Sequence, residues 1–207
     1  PGYTVYKNPT VKNITSDKNG DEPCYVRMSV DILNSQGTPI TDDQALNLIY
    51  KTIYFDKTFT GGYDKKEGKA TGLIQDRIPG YNLAQLAAYP MVNPLWTKDT
   101  ARSTASKLVF NYMGAKGDGI LNIGEESTLF TNIAIPTDWN QTQMQKVGNY
   151  QLKVTAQAIQ SKGFATQSEA YRMLDEEIKG GTLQEINRGR SEERTSELQS
   201  HHRISYA

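Results

Sequence analysis

Between Tyr150 and Ala158 the chain alternates without a break. Tyr150, Leu152, Val154, Ala156 and Ala158 fall on one side, and Gln151, Lys153, Thr155 and Gln157 on the other. A period of two sustained over that length predicts a half-buried β-strand with one face on a core and the other in water. A strand of this kind needs hydrogen-bonding neighbours and a second layer over its apolar face, so it commits the chain to a layered β architecture. The alternation ends at Ser161-Lys162-Gly163. Thr166-Gln167-Ser168-Glu169 then marks a helix start, and a short C-terminal helix is expected from Gln167 to Lys179.

Other segments repeat the strand pattern. Tyr3 to Tyr6 is β-prone, Pro9 marks an edge or a break, and Val11 to Thr15 continues extended. Asn19-Gly20 favours the positive φ values of a tight turn. In the next strand Val26, Met28, Val30 and Ile32 form the apolar face, with Arg27, Ser29 and Asp31 expected in solvent. Leu108, Phe110 and Tyr112 alternate, as do Leu129, Thr131, Ile133 and Ile135 up to Pro136. A short polar connection through Trp139 is expected to lead to the strand at Gly148. From about residue 38 to 102 the pattern loosens into an insertion. It holds a helix capped around Asp42, with Ala45, Leu46, Leu48 and Ile49 on its apolar side, and a strand from Lys51 to Phe55. A mobile glycine- and lysine-rich loop from Thr58 to Gly72 follows, then two helical turns before Pro90. Many short strands with polar turns give an all-β antiparallel sandwich.

Composition narrows the function classes. The 207 residues fit one domain, taken as residues 1–189 with the insertion inside it. Lys plus Arg and Asp plus Glu both number 23, so no net field favours nucleic acid or an anionic membrane. No apolar run approaches the ~20 residues of a membrane span. The lone Cys24 excludes an intrachain disulfide and reads as a small buried hydrophobe. No signal peptide is visible, and the chain opens on Pro-Gly-Tyr, as a mature form or a fragment would.

The last stretch, Arg190 to Ala207, reads R-S-E-E-R-T-S-E-L-Q-S-H-H-R-I-S-Y-A. It resembles an in-frame translation of a common DNA-sequencing adapter, and is set aside from fold reasoning. Codons unlike the adapter in the source nucleotides would sink that reading. Both histidines, His201 and His202, lie in this tail. Its three Arg and three Glu leave the charge balance unchanged, 23 − 3 = 20 of each sign.

Three ordered segments carry a family resemblance. K-N-P-T-V-K-N-I-T (Lys7 to Thr15), followed after a polar turn by C-Y-V-R-M-S-V-D-I-L (Cys24 to Leu33), is the first. G-I-L-N-I-G-E-E-S-T-L-F-T-N-I-A-I-P (Gly119 to Pro136) is the second, and Gly148 to Tyr171 the third. Together they cover roughly half the chain and resemble the TasA–camelysin family of secreted bacterial matrix proteins. The resemblance implies a jelly-roll-like sandwich that polymerises with copies of itself into extracellular fibres, one subunit's N-terminal strand completing a neighbour's open sheet. Such strand addition would involve Tyr3, Val5, Val11, Ile14, Tyr25, Val26 and Met28. Family members carry one or two strands ahead of the first motif, whereas this chain begins six residues before it. The donor segment is therefore expected to be missing, leaving an empty acceptor groove or a different pairing. The same resemblance raises a second reading, a camelysin-type surface metallo-endopeptidase, and the insertion from Thr38 to Arg102 allows a third, a monomeric surface adhesin or binding module that makes its contacts there.

Catalytic chemistry finds little support in the residues. There is no H-E-x-x-H, and without the tail no histidine remains to ligate zinc or serve as a base. Asp17, Asn19 and Asp21 match the opening of a calcium loop, but Glu22 stands at the glycine position and Met28 at the bidentate glutamate position, so a solvated turn is expected. Gly114 to Gly119 lacks the ending of a phosphate loop and reads as a turn. Trp96 and Trp139 read as core anchors, and Asp175-Glu176-Glu177 as a solvated helix face. Asn13 and Asn140 match glycosylation acceptors by chance spacing. No catalytic residue, metal or cofactor is assigned.

Overall fold

The computed structural model describes residues 2, 4–14, 22–59, 62–64, 69–71 and 80–180, with 62–64 and 69–71 described by their backbone. In chain order come β1 (Thr4–Tyr6), β2 (Thr10–Lys12), β3 (Cys24–Asn34), α1 (Asp43–Tyr50) and β4 (Ile53–Tyr54). Next are β5 (Gly62–Asp64), β6 (Lys69–Thr71), α2 (Leu83–Leu86), β7 (Trp96–Lys98) and β8 (Lys107–Tyr112). β9 (Ile120–Leu121), β10 (Glu126–Thr128), β11 (Asn132–Ala134), α3 (Gln141–Val147), β12 (Tyr150–Gln160) and α4 (Gln167–Lys179) complete the described chain. The result is mostly strands in antiparallel sheets with few helices, an all-β fold.

The main sheet runs β12-β3-β8-β7, with β9 beside β3 beyond the end of β8. β3 and β12 pair over their whole lengths without a bulge, from Tyr150 opposite Asn34 to Gln160 opposite Cys24. The second layer is built on a ladder that the secondary-structure bounds divide. β1 pairs with β11 and β2 with β10. Between and beyond them, Gly2 N–H donates to Ile135, Lys7 to Thr131, Leu129 to Pro9 and Asn13 to Glu125, at 2.9–3.0 Å. The N-terminal segment is thus one interrupted strand. Proline has no N–H to give, so the interruption falls at Pro9, which contributes its carbonyl alone. β4 lies along the other edge of β11.

The core sits between these layers. Val26, Met28, Val30, Leu108, Phe110 and Val154 from the main sheet meet Val11, Ile53, Leu129 and Phe130 from the other. A second cluster, of Ile32, Leu46, Ile49, Trp139 and Val147, joins α1 and α3 to the end of β3. α1 starts where expected. The Asp42 carboxylate accepts from Gln44 N–H at 2.9 Å and Ala45 N–H at 3.1 Å, which satisfies two donors that the helix leaves unpaired.

Three expectations fail, each for a physical reason. The connection after Pro136 contains a helix, α3, started by a capping box in which Asn140 accepts from Gln143 N–H and Gln143 from Asn140 N–H. Leu129, Thr131, Ile133 and Ile135 do alternate toward the interior, with Leu129 and Thr131 buried and Ile133 and Ile135 packed half-buried against the core, but the other side of this strand is covered as well. Asn132 and Ala134 are the fully buried residues of β11, and Ala134 is covered by Tyr54 and Leu86 with Tyr81 and Tyr89 of the insertion packed against them. In the segment expected as a loop, the described backbone of β5 and β6 pairs as antiparallel strands. Arg27, expected in solvent, is only 5% exposed, because α4 lies over its side of the sheet.

Candidate strand-pairing interface

Ladder geometry decides which groups β12 offers to a neighbour. In antiparallel pairing, successive residues point their N–H and C=O groups to opposite edges. Ser161 N–H donates to Pro23 C=O at 2.9 Å, while Ile32 N–H turns the other way and donates to Ser106 C=O at 2.8 Å. Odd-numbered β3 residues therefore face β12 and even-numbered ones face β8. With the β12–β3 register, Gln151, Lys153, Thr155, Gln157 and Ile159 bond inward to β3. Tyr150, Leu152, Val154, Ala156, Ala158 and Gln160 point their backbone groups outward. Among the described residues nothing pairs with that outer edge.

The same residues carry the apolar side chains. Val154 is buried in the core, while Leu152, Ala156 and Ala158 pack against it half-buried. An unpaired backbone edge thus runs beside an incompletely covered apolar stripe. At its start the strand is anchored by a 2.9 Å hydrogen bond between the Tyr150 and Thr52 hydroxyls. Lys153 is the charged residue on this strand, and it projects from the opposite face.

The residues expected to pair between subunits are distributed unevenly. Val5 lies opposite Ile133 on the N-terminal strand and is 47% exposed. Val11, opposite Ser127, is buried in the core. Ile14 follows β2 and is half-buried. Tyr25, Val26 and Met28 belong to β3, whose two edges are occupied by β12 on one side and by β8 and β9 on the other. Tyr3, Asp17, Asn19, Asp21 and the tail histidines lie outside the described residues. The outward groups of β12 were missed because alternation shows which face is buried and says nothing of which edge is paired.

No protein-family model, curated protein or solved structure matches this chain. Its own geometry must therefore carry the functional argument.

Burial pushes the Cys24 thiol up to about 12, and its Sγ lies 3.8 Å from the Leu121 carbonyl, so it stays a neutral thiol. Among the described residues no three His, Cys, Asp or Glu side chains gather as metal ligands. Asn13 is 1% exposed and donates to Leu121 C=O at 3.0 Å, so its side-chain amide is taken up inside the fold. Asn140 is occupied as a helix cap.

The most polar constellation lies on the outer face of the main sheet. Arg27, Gln157 and Asn111 form one cross-strand row, and α4 closes over it. The Arg27 guanidinium donates from Nε to Gln157 Oε1 and from Nη2 to Asp175 Oδ1, both at 2.7 Å. Its Cζ lies 5.3 Å from the centre of the Tyr171 ring. Asp175 Oδ2 accepts from Arg102 Nε at 2.7 Å. Arg102 Nη1 and Asn111 Nδ2 both donate to Asp99 Oδ2, at 2.9 and 3.0 Å. Around this row Tyr25, Ala170, Tyr171 and Leu174 form an apolar cluster. α4 is thereby held by packing and charge together. Asp175, expected on a solvated helix face, is instead the hinge of the ion-pair chain.

Proposed function

We propose that this protein is a secreted structural subunit, on a jelly-roll-like sandwich, that assembles into extracellular bacterial fibres by accepting a strand from a neighbouring copy. The unpaired outer edge of β12 carries this reading. A strand laid along it would bond to the outward N–H and C=O groups of Tyr150, Leu152, Val154, Ala156, Ala158 and Gln160. Its inward side chains would cover the half-exposed Leu152, Ala156 and Ala158. Backbone pairing supplies affinity and alternate side chains supply register. Repeated head to tail, such a contact does not close and yields a filament. The resemblance to secreted matrix proteins agrees with this physics.

Ala156→Pro tests the proposal. The Ala156 N–H points outward, so proline at that position removes a donor from the free edge and none from the β3 ladder. The expected outcome is a folded monomer by circular dichroism and no filaments by electron microscopy, at concentrations where the wild type polymerises. Filaments unchanged in number and length would refute assembly through this edge.

A further inference from the structure

The seat of α4 leaves three polar atoms over. Arg27 Nη1, Asn111 Oδ1 and the Tyr171 hydroxyl are all buried and have no hydrogen-bond partner among the described residues. They belong to one neighbourhood. Arg27 and Asn111 are direct partners across β3 and β8, and the Tyr171 ring lies against the Arg27 guanidinium. Burial pushes the Tyr171 hydroxyl well above the ordinary tyrosine range, with Arg27, Cys24, Asp99 and Arg102 all close enough to act on it. Native proteins seldom leave buried polar atoms unpaired, because each has given up water without gaining a substitute.

The chemistry of the three atoms selects what bridges them. Arg27 Nη1 can only donate, Asn111 Oδ1 can only accept, and the Tyr171 hydroxyl does either. The surrounding charges are two arginines against two aspartates, already joined in one chain of ion pairs. An added cation or anion would unbalance that set in a buried place. A neutral molecule with both donors and acceptors suits it.

We propose that the interface between α4 and the main sheet binds one internal water molecule, which accepts from Arg27 Nη1, donates to Asn111 Oδ1 and bonds to the Tyr171 hydroxyl. Three partners is the usual complement of a buried water. The helix is then seated on a hydrated polar patch ringed by apolar side chains, and the water completes the hydrogen bonding of an arginine that the sheet alone cannot satisfy.

A crystal structure of the protein, at a resolution that orders buried waters, tests the site. The expected result is one density peak at about 2.7–3.2 Å from at least two of the three atoms. Tyr171→Phe should keep the peak, since two partners remain. Asn111→Leu combined with Tyr171→Phe should lose it. Oxygen-17 relaxation dispersion in solution should show one fewer long-lived water in that double variant than in wild type. Two results overturn the proposal: Arg27 Nη1 or the Tyr171 hydroxyl bonded directly to protein with no peak between them, or a bromide soak that places an anomalous halide signal at the site. Should the double variant fail to fold, the wild-type map alone decides.

Discussion

Arg27 shows how far a residue's surroundings can depart from its place in a pattern. Alternation correctly sets Val26, Met28, Val30 and Ile32 on the core side and Arg27 on the other. It cannot show that a helix more than a hundred residues later covers that other side. Cys24 and Trp96 were legible as core residues because their own hydrophobicity decides their burial; the role of Asp175 was not, because it depends on Arg27 and Arg102 arriving from distant segments. Burial opposes the charged form of Asp175, yet hydrogen bonds from Arg27 and Arg102 outweigh it and hold the carboxyl below its ordinary value. Asp99 behaves alike: Asn111 and Arg102 overcome its burial. A carboxyl depressed in the folded state contributes stability that is fully present above its unfolded pKa of about 3.9 and is lost as pH falls through the folded value. The resistance of the wild type to urea should therefore fall below about pH 4. At neutral pH Asp175→Asn should cost about 2 kcal/mol, a figure that allows for the partial exposure of this carboxyl, and should flatten the acid limb of the profile. A variant as stable as wild type at neutral pH would show that the ion-pair chain does not hold α4.

At the scale of elements, the helices differ in how openly the sequence announces them. α4 runs from Gln167 to Lys179 as expected, because Thr166 supplies a cap and Ala170, Tyr171 and Leu174 recur on one face. α1 was legible for the same two reasons. α3 was not. Its sequence, Q-T-Q-M-Q-K-V, buries only Val147, so hydrophobic periodicity has almost nothing to report. The signal that was present is the pair Asn140 and Gln143, spaced as a reciprocal cap, and a reading led by apolar spacing passes over it. A helix with so little buried surface depends strongly on its ends. Asn140→Ala should cost about 1 kcal/mol of global stability. It should also raise hydrogen-exchange rates at residues 141–144 well beyond any change in β12. Uniform loss of protection across both elements would mean that the cap serves the whole fold and not α3.

For the whole molecule, the two layers are joined unequally. Along the run from residue 90 to 95, Phe55 N–H donates to Pro90, Asn93 N–H to Leu129 and Met113 N–H to Leu95, so this segment stitches the end of β4 and the connection between β10 and β11 in one layer to the end of β8 in the other. The outer edge of β12 has no comparable stitching among the described residues. Sequence reasoning reached the layers but not this asymmetry, since apolar periodicity reports coverage of faces and edge pairing is settled by topology. The asymmetry makes a prediction with an unusual signature. In the monomer, amides of Gln151, Lys153, Thr155 and Gln157 bond to β3 and should exchange slowly. Those of Leu152, Val154, Ala156 and Ala158 point outward and should exchange fast, which gives protection that alternates residue by residue along one strand. If a neighbour's strand docks on this edge, the fast set slows and the slow set stays as it was, so assembly erases the alternation. Residue-resolved exchange on monomer and on filament measures this directly. Uniform protection of β12 in the monomer would mean that its edge is already covered within the chain, and an alternation that survives polymerisation would place the fibre contact elsewhere on the molecule.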